Sequence, residues 1–98
     1  MGFVQVIEFR TSKIDQIQKL GNEWEESAKG SGTARRVVLC ADRDNAGRYF
    51  NIVFFDSYES AMANSELPMT QEYSKKLMAL GEGAPTFHNL DVLDDRTV

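Results

Sequence analysis

The strand-like segments of this chain carry apolar side chains on both of their alternating faces. In the segment RYFNIVFFD, which spans residues 48–56, two apolar sets alternate: Tyr49, Val53 and Phe55 in one, and Phe50, Ile52 and Phe54 in the other. Successive side chains of a strand point to opposite sides of the sheet. An antiparallel sheet with one side in water normally alternates apolar with polar residues. The pattern therefore predicts a sheet that is covered on both sides.

Three further segments have strand character. The segment FVQVIEF spans residues 3–9, ARRVVLCADR spans residues 34–43, and PTFHNLDVL spans residues 85–93. The first two are again apolar on both faces, because Phe3 and Ile7 oppose Val4 and Val6, and Val37 and Leu39 oppose Val38 and Cys40. Between the second and third strands, Asp44-Asn45-Ala46-Gly47 has the composition of a tight turn, so these two strands are predicted to form a hairpin.

Apolar residues at helical spacing predict two helices. The first has one face made of Ile14, Ile17, Gly21, Trp24 and Ala28. Ser12 is predicted to cap it, with Asp15 three residues on, and Gly30-Ser31-Gly32 to end it. The second helix is predicted to begin near Glu59, with Ser57 or Asp56 as its cap, and to break before Pro68. Its second piece runs from about Met69 to Leu80 and has one apolar stripe: Met69, Tyr73, Leu77 and Leu80.

The order of elements is therefore strand, helix, strand, strand, helix, strand. This order predicts an α+β fold of the ferredoxin-like βαββαβ type, with an antiparallel four-stranded sheet and two helices on one face. With 98 residues, the chain is predicted to be one domain spanning residues 1–98. Two helices cover only one side of the sheet, and soluble monomers rarely expose so large an apolar patch as the other side. We therefore expect a homodimer in which a second copy covers that side.

Charge and motifs exclude several classes of partner and cofactor. The chain has 15 acidic and 11 basic residues, a net charge of −4, which is unfavourable for binding nucleic acid. It has no apolar run of the roughly 20 residues that span a bilayer and no signal-peptide pattern, so we expect a cytoplasmic protein without a membrane partner. The single cysteine, Cys40, is expected to be a small buried hydrophobe. No metal-ligand set or phosphate-binding loop is present, so no metal, haem or flavin cofactor is expected.

The chain resembles the dimeric α+β barrels, which include the antibiotic-biosynthesis-monooxygenase-like and stress-responsive barrel proteins. The resemblance rests on the βαββαβ plan, on YFNIVFFDSYESAMANS at residues 49–65 and on TFHNLDVL at residues 86–93. It implies two sheets sharing a barrel with helices outside, and a pocket in each subunit. The resemblance implies one of several functions, namely cofactor-free oxygenation, haem degradation or cyclisation, and some members of the group have no known function. Haem-degrading members have an asparagine in strand one and a Trp–His pair in and after helix two. Here Gln5 occupies the strand-one position, and residues 59–86 contain neither Trp nor His, which argues against haem chemistry.

His88 is the candidate catalytic residue, since it is the only histidine and histidine titrates near neutral pH. As a general base it would be oriented by Asp91 or Glu8, and a purely structural strand histidine is the alternative. We place His88 on the same face as Leu90 and Val92 and assign that face to the helices. A pocket on that side would hold an acidic phenol-like substrate close to His88. An aromatic hydroxyl of Tyr49 or Tyr73 would stabilise the oxyanion that forms when the substrate loses its proton.

Four residues are candidates for binding a small apolar or aromatic ligand: Trp24, Tyr49, Tyr73 and Asn51. The aromatic ones combine a large apolar surface with one polar atom, although core packing also explains Trp24 and Tyr73. Gln5, Asn51 and Asn89 are amides in apolar strands and must find partners, either around a ligand or across the dimer interface. Three functions stay open: a cofactor-independent monooxygenase-like enzyme acting on an aromatic or polyketide-like substrate, a non-catalytic ligand binder, and a structural dimerisation module.

Overall fold

The four strands form one antiparallel sheet in the order β2-β3-β1-β4, with the helices on one side of it. A computed structural model describes residues 2–28 and 32–98. Its elements are β1 (Phe3–Arg10), α1 (Ile14–Ala28), β2 (Arg36–Ala41), β3 (Arg48–Phe55), α2 (Tyr58–Glu66), α3 (Pro68–Leu80) and β4 (Thr86–Asp91). This is the predicted ferredoxin-like βαββαβ arrangement, in which the second helix is divided into α2 and α3.

The β2–β3 hairpin forms at the predicted turn. Gly47 has a φ of 87°, a left-handed conformation that glycine adopts without steric cost. The Asp42 carboxylate accepts a hydrogen bond from the Asp44 backbone N–H at 3.0 Å. The Asp42 backbone N–H donates to the Arg48 carbonyl at 2.9 Å and closes the strand pair. Local turn chemistry therefore sets the register between β2 and β3.

Helix α2 begins at a capping box. The Ser57 Oγ accepts from the Ser60 backbone N–H, and the Ser60 Oγ accepts from the Ser57 backbone N–H, each at 3.1 Å. Leu67 is the last residue before α3, and Pro68 occupies the first turn of α3, where the missing proline N–H costs nothing. The predicted Ser57 cap and the predicted break before Pro68 are both confirmed.

The predicted Ser12 cap of α1 is wrong. The helix begins at Ile14, and the side chain that braces its start is Thr11, which is only 2% exposed. The Thr11 hydroxyl accepts from the Lys13 backbone N–H at 2.9 Å and donates to the Leu80 carbonyl at 2.8 Å. Thr11 therefore ties the start of α1 to the end of α3, a contact between distant parts of the chain. The predicted end of α1 at Gly30-Ser31-Gly32 includes residues 30 and 31, which lie outside the described residues.

The core lies between the helices and one side of the sheet, which we call the inner side. Two clusters of buried residues form it: Ile7, Phe9, Ile17, Leu20 and Leu77 in one, and Phe3, Val53, Phe55 and Ala61 in the other. Strand residues in these clusters are odd-numbered, as expected when alternate side chains face the helices. Burial of these side chains removes apolar surface from water and holds the helices to the sheet.

The opposite side of the sheet, which we call the outer side, is also apolar. The register pairs Val6 with Ile52 and His88, pairs Val38 with Ile52, and pairs Val4 with Phe54 and Leu90. The even-numbered strand residues thus share this side. The helices pack on the inner side, so the outer side is not covered by any described helix. Both faces of the strands are therefore apolar, as the sequence pattern indicated.

Candidate functional site

A cavity of about 990 Å³ lies between the inner side of the sheet and the helices. Its floor includes Ile7 of β1 and Asn51 and Val53 of β3, and its walls come from α1, α2 and α3. Residues of both core clusters line it. The volume is in the range of pockets that hold drug-sized ligands. The cavity is therefore the candidate binding site.

An aromatic pair from α1 and α3 forms one wall. Trp24 and Tyr73 have their ring centroids 6.0 Å apart, and the Trp24 Nε1–H donates to the Thr70 hydroxyl at 3.3 Å. Burial raises the pKa of the Tyr73 phenol, so Tyr73 is a neutral hydroxyl at physiological pH. The wall can contact a flat aromatic ligand and offers a phenolic O–H for hydrogen bonding.

Two buried asparagines line the cavity without satisfying their hydrogen-bonding groups. Asn51 and Asn64 are each 6% exposed. The Asn64 Oδ1 is buried and has no hydrogen-bond partner among the described residues. The Asn51 side chain makes no hydrogen bond within the described part of the chain. A buried amide without a partner costs about 1–3 kcal/mol. Such groups are expected where a ligand completes the hydrogen bonding.

A third amide in the cavity wall is already satisfied. The Gln5 Nε2 donates to the Asn89 Oδ1 at 3.2 Å, and the two residues are register partners in β1 and β4. This pair meets the expectation that strand amides find partners. This pair therefore has a partner within the protein, whereas the side chains of Asn51 and Asn64 have none among the described residues.

The interior of the cavity carries little charge. Of the described lining residues, the titratable ones are Glu25, Arg35, Arg36 and Tyr73, and the first three are exposed to solvent. The Arg35 Nε donates to the Asp56 carboxylate at 2.8 Å, and this hydrogen bond raises the pKa of Arg35 and lowers the pKa of Asp56. The cavity therefore suits a ligand that enters without a fixed charge, and its lining holds no side chain suited to act as a base at neutral pH.

His88 is not in the cavity wall, and its assignment to the helix-facing side is wrong. It pairs with Val6 in the register of β4 against β1, which places it on the outer side. Its Nε2 lies 3.7 Å from the Glu8 Oε1, so Glu8 is the carboxylate beside it. Asp91, the other predicted orienting residue, pairs with Phe3 and lies on the inner side. A one-residue change of register reverses every side chain of a strand, and this explains the error.

Three of the four predicted ligand-binding residues line the cavity: Trp24, Tyr73 and Asn51. Tyr49 instead stacks on Phe9, with ring centroids 5.8 Å apart. Sequence reasoning missed Asn64. The available signal was its spacing, because Asn64 follows the buried Ala61 by three residues and shares its helix face.

No group of three or more His, Cys, Asp or Glu side chains in residues 2–28 and 32–98 could hold a metal ion. No helix within the same ranges is long and apolar enough to cross a membrane.

Comparison with solved structures identifies the fold. The chain superposes on SnoaB, a cofactor-independent oxygenase from Streptomyces nogalater, with a TM-score of 0.81 and 13% identity over 96% of this chain and 95% of that one. It superposes on Rv0793 from Mycobacterium tuberculosis with a TM-score of 0.80 and 13% identity, over 99% of this chain and 100% of that one. The chain shares the fold of these proteins. A protein from Nitrosomonas europaea, provisionally assigned as an antibiotic biosynthesis monooxygenase, gives a TM-score of 0.77 and 10% identity, over 94% of this chain and 90% of that one.

The superpositions confirm the fold that the sequence pattern predicts. No protein-family model matches the chain, and no curated protein matches it. At 10–13% identity the superpositions establish a shared architecture, while function depends on the residues placed in the site.

Proposed function

We propose that this protein binds a planar phenolic substrate in the cavity and oxidises it with O₂ without a cofactor. The observation that carries the proposal is the buried Asn64 Oδ1 without a hydrogen-bond partner among the described residues, together with the Asn51 side chain, in a cavity of low charge beside the Trp24–Tyr73 wall. The likeness to SnoaB, a cofactor-independent oxygenase, supports the same reaction class. The SnoaB structure concerned is an asparagine-to-alanine variant.

In the proposed reaction the substrate itself must be the acid that loses a proton. The cavity lining offers no base for neutral pH, so the substrate must be an enol or phenol acidic enough to lose its proton to water. The unsatisfied Asn64 Oδ1 is an acceptor for a hydroxyl group of the substrate, whereas the side-chain Nδ2–H groups of Asn51 and Asn64 are donors that can stabilise the resulting oxyanion. The Tyr73 hydroxyl, neutral because burial raises its pKa, is a third donor. His88 has no part in this scheme, since it lies on the outer side.

Oxidation then proceeds on the substrate anion. Its carbon transfers electrons to O₂ and forms a carbon–oxygen bond, which gives a peroxide anion that takes up a proton. The hydroperoxide loses water as its O–O bond breaks and the remaining C–H proton leaves. A methylene group thus becomes a carbonyl, one oxygen atom enters the product and the other leaves as water. This series of steps consumes one O₂ per substrate molecule and needs no external reductant.

Turnover of a hydroxylated anthrone tests the proposal, measured as O₂ uptake together with the absorbance of the quinone product. We expect Asn64→Ala to lower kcat by about 100-fold, the cost of removing one donor to an oxyanion. Gln71→Ala removes an exposed amide of α3 outside the cavity and serves as the matched control. Circular dichroism establishes that each variant is folded. Binding without O₂ uptake by the wild type would instead favour a ligand carrier, and no binding would exclude both functions.

We also propose that the protein acts as a homodimer in the cytoplasm. The uncovered apolar outer side supports self-association, because two copies can cover each other there. Cys40 is a free cysteine, which fits a reducing compartment.

A further inference from the structure

Gly21 lies in the middle of α1, on the face of the helix that lines the cavity. It follows Ile17 by four residues and precedes Trp24 by three, so the three positions share one side of the helix. Ile17 is buried in the core, and Trp24 contacts Tyr73 in the aromatic wall. Gly21 is half-buried between them. At this point α1 therefore presents bare backbone to the cavity.

The fold itself gives no reason for a glycine at this position. Gly21 is helical, and the left-handed conformation that favours glycine at Gly47 does not occur here. A Cβ atom built on Gly21 would have no atom of the described residues within 4 Å, apart from its chain neighbours and the backbone of α1. Glycine inside a helix is destabilising relative to alanine. Helix α1 thus contains a residue that weakens it and that packing within the described chain does not require.

The space in front of Gly21 belongs to the cavity and lies between its interior and its rim. The other α1 residues that line the cavity differ in exposure, because Ile17 is buried whereas Gln18, Asn22 and Glu25 are exposed to solvent. Gly21 is intermediate between the two groups. A planar ring can approach the helix backbone more closely at Gly21 than at a residue that carries a side chain.

We infer that Gly21 is a specificity-determining residue, because its missing side chain leaves room for the apolar extension of a polycyclic ligand. The inference rests on the binding site proposed above and not on the oxidation step. Hydrogen bonds to Asn51 and Asn64 orient the polar part of the ligand, and the space at Gly21 sets how far its apolar part can extend. A single-ring phenol uses the same hydrogen bonds without reaching Gly21.

Filling this space should separate ligands by size. Gly21→Leu places a branched side chain in the cavity, and we expect the dissociation constant for a hydroxylated anthrone, which has three fused rings, to rise by at least about tenfold. The dissociation constant for resorcinol, which has one ring, should stay nearly unchanged. Gly21→Ala supplies the best helix former and should raise the thermal midpoint by about 4 °C.

Calorimetric titration under argon measures both dissociation constants, and differential scanning calorimetry measures the thermal midpoint. Lys19→Leu is the matched control, because it adds the same side chain at an exposed position of α1 outside the cavity lining. It should leave both dissociation constants unchanged. Circular dichroism establishes that each variant is folded.

Three results would overturn the inference. The first is an anthrone affinity of Gly21→Leu equal to that of the wild type, and the second is an equal loss of affinity for both ligands. The third is a lower thermal midpoint of Gly21→Ala, which would make glycine a requirement of the fold. Failure of the wild type to bind either ligand would refute the binding site and the inference together. Size-selective binding without O₂ uptake in air would refute the oxidation alone and support the role of Gly21.

Discussion

The two sides of the sheet are both apolar, yet their polar residues differ in the partners that they have. On the outer side, Glu8 and Arg48 form ion pairs with each other and with their neighbours, although the buried Arg48 Nε has no hydrogen-bond partner among the described residues. On the inner side, Asn51 and Asn64 are more deeply buried and lack partners among the described residues. Polar residues in an apolar sheet therefore do not by themselves mark a ligand site. The ones that do are those that line a cavity and have no hydrogen-bond partner in the protein.

The largest effect is expected on the outer side, which we propose binds a second copy of the chain. Ile52 lies at its centre, paired with Val6 and Val38. We expect Ile52→Asp to weaken the dimer by at least about 100-fold, because an unpaired carboxylate buried in an interface costs about 3 kcal/mol or more. Sedimentation equilibrium at pH 7.5 measures this. Ala63→Asp adds the same charge on an exposed position of α2 and should leave the dimer intact. A dimer of Ile52→Asp as tight as that of the wild type would place the interface elsewhere.

A smaller effect is expected on the inner side. There the substitution Asn51→Leu should weaken ligand binding while leaving the free energy of unfolding equal or higher. Asn51→Leu removes a buried amide that has no protein partner among the described residues, so we expect the free energy of unfolding to stay equal or rise by up to about 1 kcal/mol. Affinity for a hydroxylated anthrone under argon should fall by about tenfold, the value of one hydrogen bond to a charged oxygen. Urea denaturation and calorimetric titration measure the two quantities. A large loss of stability with unchanged affinity would make Asn51 a structural residue.

The smallest effect is expected at the rim of the cavity, where Arg35 donates to Asp56 in full contact with solvent. The hydrogen bond from Arg35 lowers the pKa of Asp56, so its contribution to stability is present above the pKa of the unfolded carboxyl and is lost as pH falls through the lowered value. Exposed ion pairs contribute little. We expect Asp56→Asn to leave the thermal midpoint at pH 7 nearly unchanged and to reduce its decline below pH 4. A large decrease in the midpoint at pH 7 would show that the pair is a structural anchor.

Local chemistry explains which parts of the molecule could be predicted from sequence. The turn at Gly47, the cap at Ser57 and the break before Pro68 depend on neighbouring residues, and all three are found where the sequence indicates. The start of α1 could not be predicted, because Thr11 replaces Ser12 through a contact with Leu80, 69 residues away. Strands β2 and β4 are shorter at both ends than predicted, at Arg36–Ala41 and Thr86–Asp91.

The candidate site was predictable only in part, for a reason of geometry. Trp24 and Tyr73 belong to helix stripes whose spacing directs them at the sheet, so their position follows from the sequence. His88 belongs to a strand that is apolar on both sides, and such a strand does not reveal which side faces the helices. Asn64 lies in α2, where the short apolar stripe gives little contrast between faces. Pairing between β1 and β4 decides the position of His88, and sequence alone does not determine it.

Nuclear magnetic resonance of the ligand-bound protein tests the central claim most directly, namely that unsatisfied amides on the inner side mark the binding site. A ¹⁵N-labelled sample would be titrated with a hydroxylated anthrone under argon, so that binding occurs without oxidation. We expect the largest shifts at the side-chain NH₂ groups of Asn51 and Asn64 and at the Trp24 indole N–H. Shifts concentrated at Val6 and His88, with those three signals unchanged, would contradict it.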